Sequence, residues 1–228
     1  MFVILDEWNS NQPFPDIHDA LSEPNGLLAM GGCLSPSRLC NAYRQGIFPW
    51  YGKGEPILWW SPNPRWVLFP EEVRVSRSLR KRLQRGEFRV TYDQAFDQVI
   101  EACSAPRDAG GTWITPELRV AYTELHRMGL AHSFESWRGD HLVGGLYGVT
   151  MGQVFFGESM FHRVTAASKV ALVTACGYLH EWGYRLIDCQ VHTAHLESLG
   201  AGPMDRSDFA ESLRDYRDRP VAAEAWRR

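Results

Sequence analysis

Two short apolar segments of this sequence are interrupted by side chains that can act as acids, bases or amide donors. In FFGESMF (155–161) a carboxylate, Glu158, lies among aromatic and methionine side chains. In LIDCQV (186–191) Asp188 and Gln190 interrupt a second apolar run. Strand side chains alternate between two faces, so the spacing predicts that Asp188 and Gln190 share one face. An unpartnered buried carboxylate is costly, so these groups are either a satisfied structural network or a reaction site.

The alternation in the first segment places Glu158 on the same strand face as Phe156 and Met160. An edge strand whose polar side chains are simply solvated is a third interpretation. We rank it below the other two because the flanking residues are so apolar.

Other catalytic templates match this sequence poorly. GESMF resembles a nucleophile elbow around Ser159, but Phe161 stands where the second glycine belongs. His192 and His195 have a spacing that suits metal ligands, yet no third ligand pattern accompanies them, and surface histidines are the more common outcome. The segment HRVTAASK (162–169) lacks the glycines that usually hold a coenzyme pyrophosphate at a helix start.

The bulk composition is that of an ordinary globular protein. The chain has 228 residues, a formal net charge of −3 and 44% hydrophobic residues. Five cysteines without a CxxC pair argue against a disulfide framework or a zinc site. No apolar run approaches the ~20 residues of a membrane span, and the first residues do not resemble a signal peptide. We expect a reduced, soluble, cytoplasmic protein with neither a membrane nor a DNA partner.

The pattern of elements from residue 70 onward predicts an α+β fold. Asp93 is the predicted cap of a helix that begins near Phe96. The core of the fold is a meander of three strands, then a helix and one further strand, which is the order of the GNAT acyltransferase fold. These predicted elements are HSFESW (132–137), HLVGGLYGV (141–149), QVFFGESMF (153–161), a helix over about 166–182 and RLIDCQV (185–191).

A change in composition near residue 64 predicts two domains. Residues 12–64 are rich in Pro, Gly and aromatic side chains, with one helix that Ser35 caps. The prediction is a small N-terminal domain over 1–63 and a GNAT-like catalytic domain, with a mostly antiparallel sheet covered by helices, over 64–228. We expect the tail after Arg217 to be mobile.

A basic segment, RVSRSLRKRLQR (74–85), contains six basic residues and no acidic residue. As a helix it places Leu79 and Leu83 on one side and a row of cations on the other. This row, called the basic stripe below, is either a phosphate-binding surface or a solvated face. Its members are Arg77, Arg80, Lys81 and Arg85.

Nine motifs in order resemble one family over roughly residues 14–216. They are EPNGLLAMGG, GIFPW, ILWWSPNPR, GTWIT, LVGGLYGV, GESMF, ASKVAL, IDCQ and HLESLGA. Together they resemble the leucyl/phenylalanyl-tRNA–protein transferases. The resemblance implies transfer of Leu or Phe, and also Met in some cases, from aminoacyl-tRNA to acceptor proteins that begin with Arg or Lys. The product is a degradation signal, and the reaction uses neither a metal nor a coenzyme.

The resemblance also implies roles for individual residues. Asp188 and Gln190 match a relay in which the carboxylate polarises the amide that meets the acceptor amine, and Glu158 matches a group that holds the cationic acceptor terminus. The basic stripe matches the tRNA-binding surface. The remaining matches form the aminoacyl pocket and the site of the terminal adenosine: Leu146, Phe155, Met160 and Ile187 for the pocket, Trp50 and Trp113 for the adenosine.

The chain departs from the family pattern at four positions. Ala166 stands where many relatives have asparagine, His162 stands at a serine-like position after ESMF, and Thr174 and Ala175 stand where bulkier residues are common. The last two substitutions predict an amino-acid pocket that is wider or differently shaped. Two rival functions remain on sequence grounds, an acyl-CoA-dependent N-acyltransferase and a non-catalytic RNA-binding protein.

Overall fold

A computed structural model describes residues 3–105 and 112–227 of the chain. Its first sheet has four short strands in the order β1-β2-β4-β3, with β1 parallel to β2 and the other pairs antiparallel. Helix α1 (Pro36–Tyr43) lies between β2 and β3 in sequence, and the Ser35 hydroxyl caps it by accepting from the Arg38 N–H, as predicted. The four strands are β1 (Val3–Leu5), β2 (Leu27–Gly31), β3 (Phe48–Pro49) and β4 (Leu58–Trp60).

The second sheet has seven strands in the order β11-β5-β10-β9-β8-β7-β6. Strands β6 to β9 are antiparallel neighbours, while β10 runs parallel to β9 and antiparallel to β5. The strands are β5 (Arg65–Leu68), β6 (Arg89–Tyr92), β7 (Ala131–Arg138), β8 (His141–Met151), β9 (Val154–His162), β10 (Leu186–Gln190) and β11 (Gly202–Met204).

Six further helices cover the two faces of this sheet. They are α2 (Arg77–Gln84), α3 (Phe96–Ser104), α4 (Pro116–Arg127), α5 (Ala167–Glu181), α6 (Ala194–Glu197) and α7 (Arg206–Tyr216). Helices α1, α3, α4 and α7 pack with the first sheet in one hydrophobic core. Helices α2 and α5 pack in a second hydrophobic core. The meander β7–β9, followed by α5 and β10, confirms the predicted α+β, GNAT-like fold class. Strands β5, β6 and β11 were not predicted, because three or four residues carry too little alternation to be recognised.

The predicted domain boundary at residues 63 and 64 falls between β4 and β5. The hydrophobic core on the α3–α4 face includes Trp59 from the first sheet and Val67 from the second. Because this core extends across the boundary, the division into two domains stays a prediction.

Two local predictions were wrong. Asp93 does not cap α3, because its carboxylate accepts from the Ser133 backbone N–H and bonds His132 at 2.7 Å. The tail after Arg217 is packed against the protein: the Trp226 ring stacks on His132 with centroids 3.8 Å apart. The tail lacks a periodic apolar pattern, and one large aromatic side chain is enough to anchor it.

Ala166 stands at the start of α5 with a left-handed backbone, φ +71°. Its side chain supplies no capping hydrogen bond. Asparagine adopts this conformation more readily than alanine and can also accept from backbone N–H groups. The departure from the family pattern at this position therefore leaves α5 with a strained and uncapped first turn.

Candidate active site

A cavity of about 460 Å³ opens between the second sheet, α5, α6 and the end of β3. Most of its lining is apolar, which suits an aliphatic or aromatic ligand group. All six residues that were matched to the aminoacyl pocket and the adenosine site lie in this lining: Trp50, Trp113, Leu146, Phe155, Met160 and Ile187. Glu158 and Gln190 are in the same wall. The structure thus brings these eight residues together, and their roles stay predictions.

A bulge in β9 places Glu158. Tyr147 pairs with Ser159 and Gly148 pairs with Gly157, so Glu158 is an additional residue between two ladder positions. The bulge reverses the alternation of side chains. Phe156 packs into the α3–α4 core, whereas Met160 packs against the α5 core. The prediction that Phe156, Glu158 and Met160 all share one face was therefore wrong.

Three side chains donate hydrogen bonds to the buried Glu158 carboxylate. Tyr43 Oη and Gln190 Nε2 each lie 2.8 Å from Oε1, and Tyr122 Oη lies 2.8 Å from Oε2. Burial raises the pKa of Glu158 to about 7, although the bonds from the tyrosines hold it down and the nearby Asp188 carboxylate adds to the rise. A carboxyl group with this pKa changes protonation near neutral pH, as a general base or acid must.

Asp188 is fully buried and ion-paired. Its Oδ1 accepts from Arg65 Nε at 2.8 Å and its Oδ2 from Arg65 Nη2 at 2.6 Å. The guanidinium lies over the rings of Phe48 and Phe209, at 4.8 and 4.7 Å from their centroids. A bidentate pair of this kind holds the carboxylate in one orientation.

Gln190 leaves the regular strand geometry. Its φ is +64°, and the pairing of β10 with β5 shifts between Asp188 and Gln190. The backbone N–H of Gln190 donates to Asp188 Oδ1 at 2.9 Å, while its side-chain amide donates to Glu158. Because the ladder is interrupted here, alternation does not fix the face of the Gln190 side chain, and the predicted shared face of Asp188 and Gln190 stays a prediction. Asp188 acts on Gln190 through the backbone, so a relay between the two side chains stays a prediction without a direct contact.

Sequence reasoning missed several groups of the site. Tyr43 and Tyr122 gave no signal, because each lies on a helix far from Glu158 in sequence. His195 was considered a surface histidine, yet it lines the cavity and its Nε2 is buried without a hydrogen-bond partner. Burial, followed by Lys169 and His162, lowers the pKa of His195, which favours the neutral imidazole. This desolvated nitrogen is a polar contact point in a mostly apolar lining.

Helix α5 reaches the cavity through Ser168 and Leu172. Ala175 is instead buried in the core beneath that helix, and Thr174 is only half-buried. The lining includes neither of them. These two positions do not contact the pocket directly, so the prediction that they widen or reshape it stays a prediction.

The basic stripe lies outside the cavity lining, on α2 and its C-cap. All four members are exposed, and Leu79 anchors the opposite side of the helix in the α5 core. Arg82, the remaining cation of this helix, pairs with Glu87 at 2.7 Å. The surface is available to phosphates, and its role in tRNA binding stays a prediction.

Among the described residues, one group has ligand types that suit a metal: Asp93, His126 and His132. Its atoms are engaged in direct hydrogen bonds. His132 Nδ1 lies 2.7 Å from Asp93 Oδ2, and His126 Nδ1 lies 2.8 Å from the Ala131 carbonyl. These three residues therefore form a hydrogen-bonded network, which lies beside Trp226 of the C-terminal segment. The absence of a bound metal stays a prediction.

Comparison with known proteins gives a consistent result. The family model described as leucyl/phenylalanyl-tRNA protein transferase matches residues 67–214, and the model of its N-terminal domain matches residues 32–63. A leucyl/phenylalanyl-tRNA–protein transferase of Methylococcus capsulatus is 57% identical over 228 residues, covering 100% of this chain and 97% of the relative. The protein of the same name from Stutzerimonas stutzeri is 60% identical over 215 residues, covering 94% and 95%.

Among solved structures, an aminoglycoside acetyltransferase from an uncultured soil metagenomic sample covers 57% of this chain and 89% of its own, with a TM-score of 0.39 and 14% identity. That likeness is too loose to add to the topology described above. The sequence relatives cover nearly the whole chain at more than half identity, and the apolar cavity holds the residues that the family motifs carry. The chain therefore belongs to the leucyl/phenylalanyl-tRNA protein transferase family and is an aminoacyltransferase.

Proposed function

We propose that this protein transfers leucine or phenylalanine from aminoacyl-tRNA to the N-terminal Arg or Lys of acceptor proteins, with methionine as a further donor. The observation that carries the proposal is the hydrogen-bonded pair of Glu158 and Gln190 in the wall of an apolar cavity. The cavity offers room for one apolar side chain, and the pair offers proton-transfer chemistry beside it.

The donor end is assigned to two parts of the cavity. Leu146, Phe155, Met160 and Ile187 surround the amino-acid side chain, and Trp50 and Trp113 stack on the terminal adenosine. An apolar pocket excludes charged side chains because their desolvation is costly. Trp50 is 44% exposed, which leaves much of its surface free for a base.

The reaction needs positioning and proton transfer. The aminoacyl ester is already activated, so the acceptor amine attacks its carbonyl carbon directly. The amine, with a pKa of about 8, must lose a proton as the N–C bond forms. Glu158 takes that proton, and it returns a proton to the ribose oxygen as the ester C–O bond breaks. No oxidant, metal or covalent enzyme intermediate is needed for this exchange.

Gln190 and Asp188 orient the reacting groups. The Gln190 side chain donates to Glu158, which leaves its carbonyl oxygen as an acceptor for the incoming amine. Asp188, held by Arg65, fixes the unusual Gln190 backbone through its N–H and acts as a positioning residue. Correct orientation alone supplies about 7 kcal/mol or more of barrier reduction in favourable cases.

The acceptor and the tRNA body complete the proposal. When ionised, Glu158 attracts the cationic N-terminus of an acceptor that begins with Arg or Lys. The exposed basic stripe binds phosphates of the tRNA, although the net charge of the whole protein is −3. The modified acceptor then carries a degradation signal, and we expect this activity in the cytoplasm.

The test is incubation with leucyl-tRNA and a peptide that begins with Arg, followed by mass spectrometry. We expect the peptide to gain one leucine. The same peptide with an acetylated N-terminus is the matched control, because it lacks the attacking amine and must stay unchanged. Modification that requires an acyl-CoA, or binding of tRNA without any transfer in the wild-type protein, would contradict the proposal.

A further inference from the structure

The C-terminal segment lies behind one wall of the donor pocket. Phe155 lines the cavity and is only 1% exposed. The Trp226 ring, which does not line the cavity, lies 6.3 Å from the Phe155 ring, centroid to centroid, with the planes 25° apart. The Phe134 ring meets the Phe155 ring edge to face, with centroids 6.5 Å apart. The position of the Phe155 ring therefore depends on residues that do not line the cavity themselves.

Several independent contacts hold Trp226 in place. Its indole N–H donates to the Tyr184 hydroxyl at 2.8 Å, and its ring lies 4.7 Å from that of Trp182 and 3.8 Å from that of His132. The Ala222 N–H donates to the Trp182 carbonyl at 2.8 Å and secures the segment further. Trp226 keeps a left-handed backbone, φ +60°, which a bulky residue adopts only when its surroundings impose it. These contacts make Trp226 the main anchor of the C-terminal segment.

The other sides of Phe155 explain why this support matters. A Cβ atom at Gly148 would lie 2.5 Å from the Phe155 ring, so the β8 backbone closes on one edge of the ring. The cavity lies on another side. In the aromatic cluster the neighbours of Phe155 include Phe134 and Trp226, whose own ring centroids lie 5.3 Å apart.

We propose that Trp226 is a positioning residue that fixes the Phe155 ring and thereby sets the depth of the donor pocket and its selection among amino-acid side chains. This inference rests on the proposed function, since that reaction defines the donor. Trp226 lies beyond residue 214, where the family-model match ends, so the matched motifs do not assign it this role.

Removing the indole leaves space beside Phe155 into which its ring retreats, while the close approach of β8 at Gly148 leaves little room for movement there. The pocket then becomes deeper and admits a larger side chain. A mismatch of one or two methylene groups changes selectivity by about 10–200-fold in well-packed pockets, and partial collapse of the vacated space reduces that effect. For Trp226→Ala we expect the kcat/KM ratio of phenylalanyl to leucyl donors to rise about threefold to tenfold.

The experiment compares leucyl- and phenylalanyl-tRNA in direct competition for one Arg peptide. Leu213→Ala is the control: Leu213 is more deeply buried than Trp226, and it packs in the α3–α4 core, whereas Phe155 packs in the α5 core. It should lower stability without changing the donor ratio. Trp226→Phe keeps an aromatic support and should retain most of the wild-type ratio.

A second readout does not depend on transfer. Binding of amide-linked 3′-leucylamino- and 3′-phenylalanylamino-adenosine, measured by calorimetry, should show the same shift in Trp226→Ala. A shifted binding ratio without any wild-type transfer would reject the proposed function and retain the inference. An unchanged ratio in Trp226→Ala, or equal loss of both analogues as in a merely destabilised protein, would overturn it. If Trp226→Ala does not fold, Trp226→Leu replaces it under the same criteria.

Discussion

Replacing Glu158 with glutamine should change how stability depends on pH. The wild-type carboxyl group is buried, and its pKa is raised from 4.5 to about 7. Folding therefore favours the protonated form. Below about pH 4.5 the group is protonated in the folded and the unfolded chain alike, so its burial carries no ionisation cost. Between about pH 4.5 and 7 the unfolded chain releases this proton while the folded protein retains it, so the stability falls, and the loss is complete once the pH has risen through the folded pKa of about 7.

The magnitude follows from the size of the shift. A pKa that moves from 4.5 to about 7 corresponds to about 3 kcal/mol, since one pKa unit is worth about 1.4 kcal/mol. The glutamine side chain does not ionise and escapes this loss. It also changes the hydrogen bonds with Tyr43 and Tyr122, but that offset is the same at every pH in this range and cancels from the comparison.

Urea unfolding at pH 4.5 and pH 8 measures the effect. The free energy of unfolding of Glu158→Gln, relative to wild type, should increase by about 3 kcal/mol between these two pH values. Glu117→Gln, at an exposed carboxyl group whose pKa is lowered by its own helix start, is the control and should show no such gain. Transfer activity of Glu158→Gln should fall at least about a hundredfold throughout. Parallel stability profiles of the two proteins would refute the raised pKa and the role built on it.

Three further predictions concern other parts of the molecule. Tyr43→Phe removes a hydrogen bond that lowers the pKa of Glu158. The acidic limb of the plot of kcat/KM against pH should therefore move to higher pH by about one unit. If this limb does not move, Glu158 is not the proton acceptor. Ala166→Asn should raise the free energy of unfolding by about 1 kcal/mol in urea titrations, because asparagine tolerates the left-handed backbone, and a loss of stability would contradict this. The double substitution Arg77→Ala and Lys81→Ala should weaken the binding of full-length tRNA and reduce the slope of log Kd against log salt concentration by roughly 1 to 2. An aminoacyl adenosine, which lacks the tRNA body, should be used as a donor as well as before. Equal loss of activity with both donors would mean that the helix only supports the fold.

Two matched controls sharpen these tests. Lys53→Ala with Arg127→Ala removes the same charge from exposed positions outside the basic stripe, and it should leave the salt slope unchanged. Thr165→Asn places the same side chain one residue before Ala166, and it should not reproduce the gain in stability.

Local sequence signals were sufficient for much of the fold. Alternation of apolar residues identified the three strands of the meander, and Ser35 marked the start of α1 through its capping side chain. These features depend on residues within one turn or one strand, so periodicity and capping chemistry reveal them. The set of cavity residues came from nine ordered motifs, and the structure gathers six of the matched side chains around one space.

Alternation failed at the points where the strands are irregular. The bulge at Glu158 places Phe156 and Met160 in opposite cores, and a register shift between Asp188 and Gln190 interrupts the ladder of β10. Period-two reasoning assumes an unbroken ladder, and neither irregularity has a glycine or proline at the residue itself to mark it in sequence.

The environment of the carboxylate was decided only by tertiary structure. The hydroxyl groups that bond Glu158 come from residues 115 and 36 positions away, on α1 and α4. Trp226 reaches His132 and Phe155 from the far end of the chain. The sequence by itself determined which residue types were present and which short elements they form. Their partners, and with them the raised pKa of Glu158, depend on how helices pack across a sheet, and no local pattern records contacts over such separations.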